Sequence, residues 1–135
     1  MVGIVNTLDR IRHIQALTWD EWREDGKMAI EFAPASDHWC WIISGAGYVI
    51  ASPVNGKTVQ LHCAALPHTP DVVATVHKVM GFLRNEGYER FIALIPSFCR
   101  SAQLAAHRAG FKRCGVIHRS VMRDGVLHDL IIREA

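Results

Sequence analysis

The sequence predicts an α/β fold of the α+β kind, with a mixed sheet that is antiparallel at its beginning and end and parallel in the middle. Three observations predict it. Short runs rich in β-branched and aromatic residues begin after Asp37 and are separated by turn signals. A strong helix then leads into a buried strand, and a second helix leads into a hairpin. The 135 residues suffice for one substantial core, so we expect a single domain over residues 1–135.

The first third of the chain predicts a short strand and two short helices. "VGIV" at residues 2–5 is the candidate strand, and apolar residues then recur at helical spacing from Leu8 to Leu17. Thr18 is a plausible N-cap, and Glu21 completes a capping box with it. We therefore expect a second helix to begin at Thr18.

Three strands follow, with the sequences "HWCWIIS", "GYVIAS" and "TVQLHCAAL". The Gly-rich "GAG" separates the first two, and the strong hairpin signal Asn55-Gly56 separates the last two. This order predicts an antiparallel meander.

The segment after the meander predicts a helix with a clear apolar face. Thr69 can cap this helix and Pro70 can occupy its first position, while the apolar face runs from Val72 to Leu83 and Gly87 ends it. The next run, "RFIALIP", is typical of a buried strand. A strand, a helix and a strand of these lengths predict a parallel, right-handed crossover.

The remaining sequence predicts a helix and a hairpin. "SFCRSAQLAAHRAG" is an Ala-rich helix closed by Gly110, and the run from Phe111 to Arg133 turns at Asp124-Gly125.

The composition excludes several functions. The formal net charge is +2 and the basic residues are scattered, which argues against nucleic-acid binding. No apolar run reaches the roughly 18 residues of a membrane span, and no signal-peptide core follows Met1, so we expect a cytoplasmic protein without membrane contact. The four cysteines form no C-x-x-C pair and the eight histidines no H-E-x-x-H motif, which predicts reduced thiols and no metal site.

The order of three strands, helix, strand, helix and hairpin resembles that of the GNAT (GCN5-related N-acetyltransferase) superfamily. The segment "SFCRSAQLAAHRAGFKRCG" carries most of the resemblance, because GNAT proteins typically show Asn-x-x-Ala-x-x-x-Tyr-x-Lys-x-Gly-Phe at this place. Ala102, Arg108 and Gly110-Phe111 match that pattern. Together with the hairpin, whose last strand holds Asp129, the segment is similar to the small GNAT-like proteins of bacteriophages and prophages.

The resemblance implies an N-acetyltransferase that moves an acyl group from acetyl-CoA to an amine. His62 lies in the last meander strand, where GNAT enzymes often place a proton acceptor, and is the candidate base; a packed structural histidine is the alternative. Ala106 stands at the position of the usual tyrosine acid, which leaves Tyr48 and Cys99 as further catalytic candidates. Cys99, at the Asn position, is alternatively a small buried hydrophobic residue.

The resemblance also implies where acetyl-CoA binds. The thioester carbonyl would meet a backbone N–H near the end of the last meander strand, and the pyrophosphate would meet the start of the next helix. The loop there, "PHTPDVVA", lacks the glycines that GNAT proteins carry, its prolines remove two N–H donors, and Asp71 adds a carboxylate. A well-capped helix start is therefore the alternative. The candidate cofactor-binding residues are Ala64, Ala65, Leu66, His68, Thr69, Val72, Val73 and Arg108.

Three functions stay open at this point. The first is acyl transfer to an amine that the sequence does not identify. The second is a GNAT-like fold that does not catalyse and acts as an interaction protein, as in the assembly of a phage particle in the host cytoplasm. The third is a binding module that uses the same cleft for another small molecule. The exposed sheet edges and the four tryptophans also make a homodimer a candidate assembly.

Overall fold

The computed structural model describes residues 4–27 and 37–135. Its elements, in chain order, are α1 (Ile4–Trp22), β1 (Trp39–Ile43), β2 (Gly47–Pro53), β3 (Thr58–Ala65), α2 (Val72–Asn85), β4 (Arg90–Pro96), α3 (Arg100–Arg108), β5 (Lys112–Arg123) and β6 (Val126–Glu134). The mixed sheet with helices confirms the predicted fold class. Within these ranges, no helix is long and apolar enough to cross a membrane.

The strands of the described chain form one sheet in the order β1-β2-β3-β4-β6-β5. β1, β2 and β3 are antiparallel, β3 and β4 are parallel, and β4, β6 and β5 are antiparallel again. These pairings confirm the predicted meander, crossover and terminal hairpin. At the turn between β2 and β3, the side-chain oxygen of Asn55 accepts hydrogen bonds from the N–H groups of Lys57 and Thr58, both at 2.9 Å.

The first third of the chain folds differently from the prediction. α1 runs without a break through Thr18 to Trp22, so the predicted second helix is wrong. The Thr18 hydroxyl does not cap a helix; it donates to the Ile14 carbonyl one turn earlier, at 2.9 Å, as threonine inside a helix can do. The predicted strand is also wrong at residues 4–5, which are helical, and its residues 2–3 lie outside the described ranges.

α2 begins at Val72, later than predicted, because the chain before it turns sharply. His68 and Asp71 adopt left-handed backbone conformations, with φ of 64° and 63°, and a right-handed helix cannot include them. The Thr69 hydroxyl donates to the Leu66 carbonyl at 2.6 Å instead of capping. Asp71 is the N-cap residue, but its side chain makes no capping hydrogen bond. The predicted side-chain cap is therefore wrong.

α1 and α2 cover opposite faces of the sheet. α2 buries the predicted apolar face, which consists of Val76, Val79, Met80 and Leu83. Its Phe82 also meets Trp39 and Trp41 of β1 edge to face, with ring centroids 6.3 Å and 5.7 Å apart. α1 buries Ile11 and Ile14, which are 0% and 1% exposed, and so covers the other face of the meander.

Arg123, near the end of β5, fastens the C-terminal end of α1. Its guanidinium donates to the carbonyl oxygens of Asp20 and Glu21 at 2.6 Å and 2.7 Å, and it stacks over the Phe98 ring at 4.5 Å. A cation at a helix C-terminus satisfies carbonyl groups that have no partner within the helix.

The tip of the β5–β6 hairpin is fastened to the same place. Arg23 donates to both carboxylate oxygens of Asp124 at 2.7 Å and 3.0 Å. The Asp25 carboxylate accepts the N–H groups of Asp124 and Gly125, both at 2.9 Å. We call these contacts between residues 20–25 and 122–125 the terminal clamp.

Gly47, at the start of β2, makes a close approach that only glycine permits. A Cβ at this position would lie 2.9 Å from the Ala65 Cβ and 3.2 Å from the Ala64 carbonyl oxygen. We expect Gly47→Ala to lower the free energy of unfolding by about 1–3 kcal/mol, as other overpacking substitutions do. Urea denaturation of purified variants measures this change.

Gly81 supplies the matched control. It lies inside α2, and a Cβ there would have no neighbour within 4 Å. Gly81→Ala should stabilise the protein by about 0.5–1 kcal/mol, since alanine is the better helix former. Equal effects of the two substitutions would contradict the close approach at Gly47.

Candidate active site

β3 and β4 lie side by side only at their beginnings. Their parallel ladder joins residues 58–60 to residues 90–92. Beyond it, residues 61–65 of β3 have no strand partner on that side within the described chain. The two strands therefore diverge and leave a gap in the middle of the sheet.

Backbone N–H groups of β3 point into this gap. The Leu66 N–H is not among them, because it donates to the Ala46 carbonyl on the β2 side at 2.9 Å. Since successive N–H groups of a strand point to opposite sides, those of Ala65 and Cys63 face the gap. Of the three residues predicted to polarise a carbonyl, Ala65 is thus the one whose N–H is available on this side.

A groove of about 550 Å³ opens where the strands diverge. Its walls are the end of α1, the end of β3, the loop at residues 66–69, the start of α2 and one face of α3. All eight residues predicted to bind a cofactor line this groove, namely Ala64, Ala65, Leu66, His68, Thr69, Val72, Val73 and Arg108. The fold therefore brings together residues that are up to 44 positions apart in the chain, from 64 to 108.

One end of the groove meets the N-terminus of α2. The first helical hydrogen bond runs from the Thr75 N–H to the Asp71 carbonyl at 2.8 Å, so the N–H groups of Val72 and Val73 have no acceptor within the helix. Such N–H groups, together with the helix dipole, attract anions. The Asp71 side chain is exposed at the same helix end and opposes that attraction.

The N-terminus of α3, on the facing wall, already meets a carboxylate. The Glu21 carboxylate of α1 accepts hydrogen bonds from the Ser101 hydroxyl and from the Ala102 N–H, the latter at 3.3 Å. Arg108, at the other end of α3, is the one Lys or Arg among the described residues that line the groove. It is the cation that an anion in the groove would meet.

Strand register brings His62 and Tyr48 together. Ile50 lies opposite His62 and Ala64 lies opposite Tyr48, so both side chains extend from the α1 face of the sheet. The Tyr48 hydroxyl oxygen and His62 Nε2 are 3.0 Å apart and share a hydrogen bond. The Trp22 ring meets the imidazole edge to face, with centroids 4.8 Å apart.

Burial further favours the uncharged forms of this pair. It lowers the pKa of His62 to about 4 and raises the pKa of Tyr48 above its ordinary value, because each charged form would lose solvation. His62 also lines a small cavity of about 60 Å³ in the gap between β3 and β4.

Comparison with known proteins supports one fold. No protein-family model and no curated protein matches the sequence. Among solved structures, a protein assigned as a phosphinothricin N-acetyltransferase matches with a TM-score of 0.73 and 14% identity, over 96% of this chain and 92% of that one. The fold is that of the GNAT acetyltransferases.

Two further GNAT-fold structures match a smaller part of the chain. They are the microcin C7 self-immunity acetyltransferase MccE with acetyl-CoA and AMP, at 21% identity, and a GNAT superfamily phosphinothricin acetyltransferase from Sinorhizobium meliloti with acetyl-CoA, at 18%. Each match has a TM-score of 0.58 and covers 67% of this chain. The chain spans about half the length of these two proteins, 53% in both cases.

Cys99 lies apart from the other catalytic candidates. Its side chain is 0% exposed, and the thiol donates to the Glu21 carbonyl at 3.3 Å. Burial, followed by the nearby Glu21 carboxylate, raises the pKa of Cys99 to about 12. Cys99 lines neither the groove nor the cavity, and its role as a catalytic acid stays a prediction beside the alternative of a buried hydrophobic residue.

The sequence did not indicate the contribution of α1 to the site. Leu17, Thr18, Glu21 and Trp22 all line the groove, but a predicted break at Thr18 would have directed the helix elsewhere. The sequence also did not indicate that the alanines of α3 and its C-cap line a cavity, although their spacing is visible. Ala102, Ala105, Ala106 and Ala109 recur at i, i+3, i+4 and i+7, which places them on one face of the helix.

Proposed function

We propose that this protein transfers an acyl group from an acyl-CoA thioester to an amine. The separation of β3 and β4 carries this proposal, because it opens a groove of about 550 Å³ that leads from unpaired strand backbone to a helix N-terminus. A long ligand with a polar, extended arm and an anionic end fits such a groove.

The residues of the groove fit coenzyme A with one reservation about charge. The backbone of residues 61–65, which has no strand partner on this side in the described chain, suits an amide-containing arm, and the N–H groups of Val72 and Val73, with Arg108, suit the phosphates. The exposed Asp71 carboxylate weakens the attraction of phosphate to the start of α2. We therefore expect coenzyme A to bind, with lower affinity than it would have without that charge.

The chain's own groups supply positioning and a proton acceptor. A bound acyl-CoA supplies a thioester, and transfer joins the amine nitrogen to the acyl carbon, breaks the carbon–sulfur bond and moves one proton from nitrogen to sulfur. The Ala65 N–H is directed toward the gap, where it can stabilise charge on a carbonyl oxygen. His62 is neutral at pH 7 and can take up the proton as it leaves nitrogen.

The low pKa of His62 restricts when it can act. The ordinary imidazole pKa, on which the sequence prediction rested, does not apply after burial. A base with a pKa of about 4 cannot deprotonate a free alkylammonium ion at a useful rate. It can accept the proton only as the new nitrogen–carbon bond forms, because the nitrogen then becomes more acidic.

Calorimetry with acetyl-CoA tests the proposal. Binding to the purified protein, together with release of free thiol when amines are added, would support it. If millimolar coenzyme A and acetyl-CoA give neither heat nor thermal stabilisation, the acyltransferase proposal is wrong. In that case the alternative of a GNAT-fold interaction protein, such as a phage assembly protein, would gain support. The acidic start of α2 is the observation that favours this alternative.

Removal of the Asp71 charge should tighten coenzyme A. The carboxylate is exposed and makes no capping hydrogen bond, so Asp71→Asn removes a charge without removing a structural contact. Asparagine also tolerates the left-handed backbone at this position. A charge at a helix N-terminus contributes about 0.3–1 kcal/mol, so we expect affinity to rise roughly two- to fivefold in calorimetry.

Two controls identify the cause of that change. Asp37→Asn removes an exposed carboxylate that does not line the groove and should leave affinity unchanged. Pantetheine, which has no phosphate, should bind Asp71→Asn and the unsubstituted protein equally. Weaker or unchanged coenzyme A binding by Asp71→Asn would show that the phosphates do not meet this helix end.

A further inference from the structure

A small apolar cavity forms the inner end of the groove. Its volume is about 60 Å³. The cavity and the groove have Trp22, Cys63, Val72, Ala102 and Ala105 in common. Apart from the indole nitrogen of Trp22, the polar side-chain atoms in the described lining belong to His62 and Cys63. The cavity occupies the gap between the diverging parts of β3 and β4.

α3 leaves this space open because its side chains there are short. Ala102, Ala105 and Ala106 of α3 line the cavity together with the C-cap residue Ala109, and no larger α3 side chain does so in the described chain. Ala106 and Ala109 line only the cavity, whereas Ala102 and Ala105 also line the groove. A longer side chain at position 106 would therefore fill the cavity without entering the groove.

The far end of the cavity is fixed in place. Phe111, which is 3% exposed, forms part of its wall. The His77 side chain of α2 makes a hydrogen bond of 3.0 Å with the Ala109 carbonyl, which ties α2 to the end of α3. The size of the cavity is thus set by packed core residues rather than by a surface loop.

We infer that this cavity binds the acyl chain of the thioester and selects aliphatic chains longer than acetyl, with propionyl and butyryl as the best. The inference rests on the proposed acyltransferase function. An apolar protein cavity of about 150 Å³ holds benzene, which has six carbons, so a cavity of about 60 Å³ holds two or three carbons. Acetyl would leave part of this space empty, and an eight-carbon chain would exceed it.

The lining also selects against charge. No Lys or Arg is present among the described residues of the cavity wall, so a carboxylate at the end of a succinyl chain would be buried without a partner. Each buried methylene, in contrast, should tighten binding about fourfold. The chemistry of the wall therefore favours a short, uncharged, saturated chain.

A series of thioesters tests this assignment by calorimetry and thermal shift, without any need for turnover. Coenzyme A, acetyl-, propionyl-, butyryl-, octanoyl- and succinyl-CoA are compared with the unsubstituted protein. We expect propionyl-CoA to bind about fourfold more tightly than acetyl-CoA, and octanoyl- and succinyl-CoA to bind less tightly than acetyl-CoA. An affinity that does not rise beyond acetyl-CoA would overturn the inference while leaving the proposed function intact. If none of these compounds binds, both are wrong.

Substitution at Ala106 shows where the acyl chain lies. Ala106→Leu should bind coenzyme A like the unsubstituted protein but lose the preference for propionyl over acetyl. Ala106→Val should lose part of it, and this milder variant serves if leucine disturbs folding. Ala74→Leu, at an exposed position of α2 that lines neither space, should keep the full preference. If Ala106→Leu weakens coenzyme A itself as much as propionyl-CoA, the cavity holds another part of the ligand and the inference is overturned.

Discussion

The free energy of unfolding should fall by about 3 kcal/mol between pH 6.5 and pH 4 because of His62 alone. Burial lowers the pKa of this histidine from 6.5 in the unfolded chain to about 4 in the fold. In that pH range the unfolded chain binds a proton that the folded protein does not, so acid favours unfolding. The free energy of unfolding keeps its full value above pH 6.5 and falls as the pH decreases to 4. Each unit of difference between the two pKa values corresponds to about 1.4 kcal/mol.

Urea denaturation at several pH values isolates this contribution. His62→Gln keeps a polar group near the Tyr48 hydroxyl but cannot titrate. Between pH 6.5 and pH 4, the free energy of unfolding of this variant should therefore fall by about 3 kcal/mol less than that of the unsubstituted protein. His13→Gln, at an exposed position of α1, is the control for replacing a histidine by glutamine. The same pH dependence for His62→Gln and the unsubstituted protein would mean that His62 is not desolvated, and that its role as a neutral proton acceptor needs revision.

The substitution Ala105→Phe should abolish the binding of acetyl-CoA. Ala105 lies on α3 and lines both the groove and the cavity, so the side chain of Ala105→Phe would occupy the space between them. At a ligand concentration one hundred times the dissociation constant, binding stabilises a protein by about 2.7 kcal/mol. We expect this stabilisation to disappear in thermal shift measurements of Ala105→Phe.

The control for this variant is the same substitution on the neighbouring helix. Ala74 is exposed on α2 and lines neither space, so Ala74→Phe should retain the full stabilisation by acetyl-CoA. Both variants should remain folded, because neither position belongs to the buried core. Binding of acetyl-CoA by Ala105→Phe with unchanged affinity would place the ligand outside this groove.

The sequence predicts most elements of the fold because their signals are local. Alternation, turn residues and one apolar helix face are sufficient for β1 to β3, α2 and the terminal hairpin. The errors occur where a local signal competes with tertiary contacts. Thr18 resembles a cap in sequence, yet its hydroxyl bonds within α1, which continues to Trp22 against the sheet. His68 and Asp71 take left-handed conformations that delay α2, and neither residue type requires them.

The candidate site is predictable only in part. The resemblance identified a set of residues that the structure gathers around one groove. It did not indicate that His62 would share a hydrogen bond with Tyr48, because that contact depends on the register of β2 against β3. Nor could a sequence reveal a depressed pKa, which results from the burial of the imidazole under α1. Whether these residues act in catalysis stays a prediction.

The terminal clamp has a consequence for the order of folding. It joins the end of α1 to the tip of the last hairpin, and the Arg23–Asp124 pair is separated by 101 positions in the chain. During synthesis the end of α1 leaves the ribosome before the partners that fix it, which emerge about 100 residues later. Contacts of such long range require a costly loop closure and slow the folding of a domain. The α1 wall of the groove, and with it any affinity for a ligand there, should therefore be acquired in the last steps of folding.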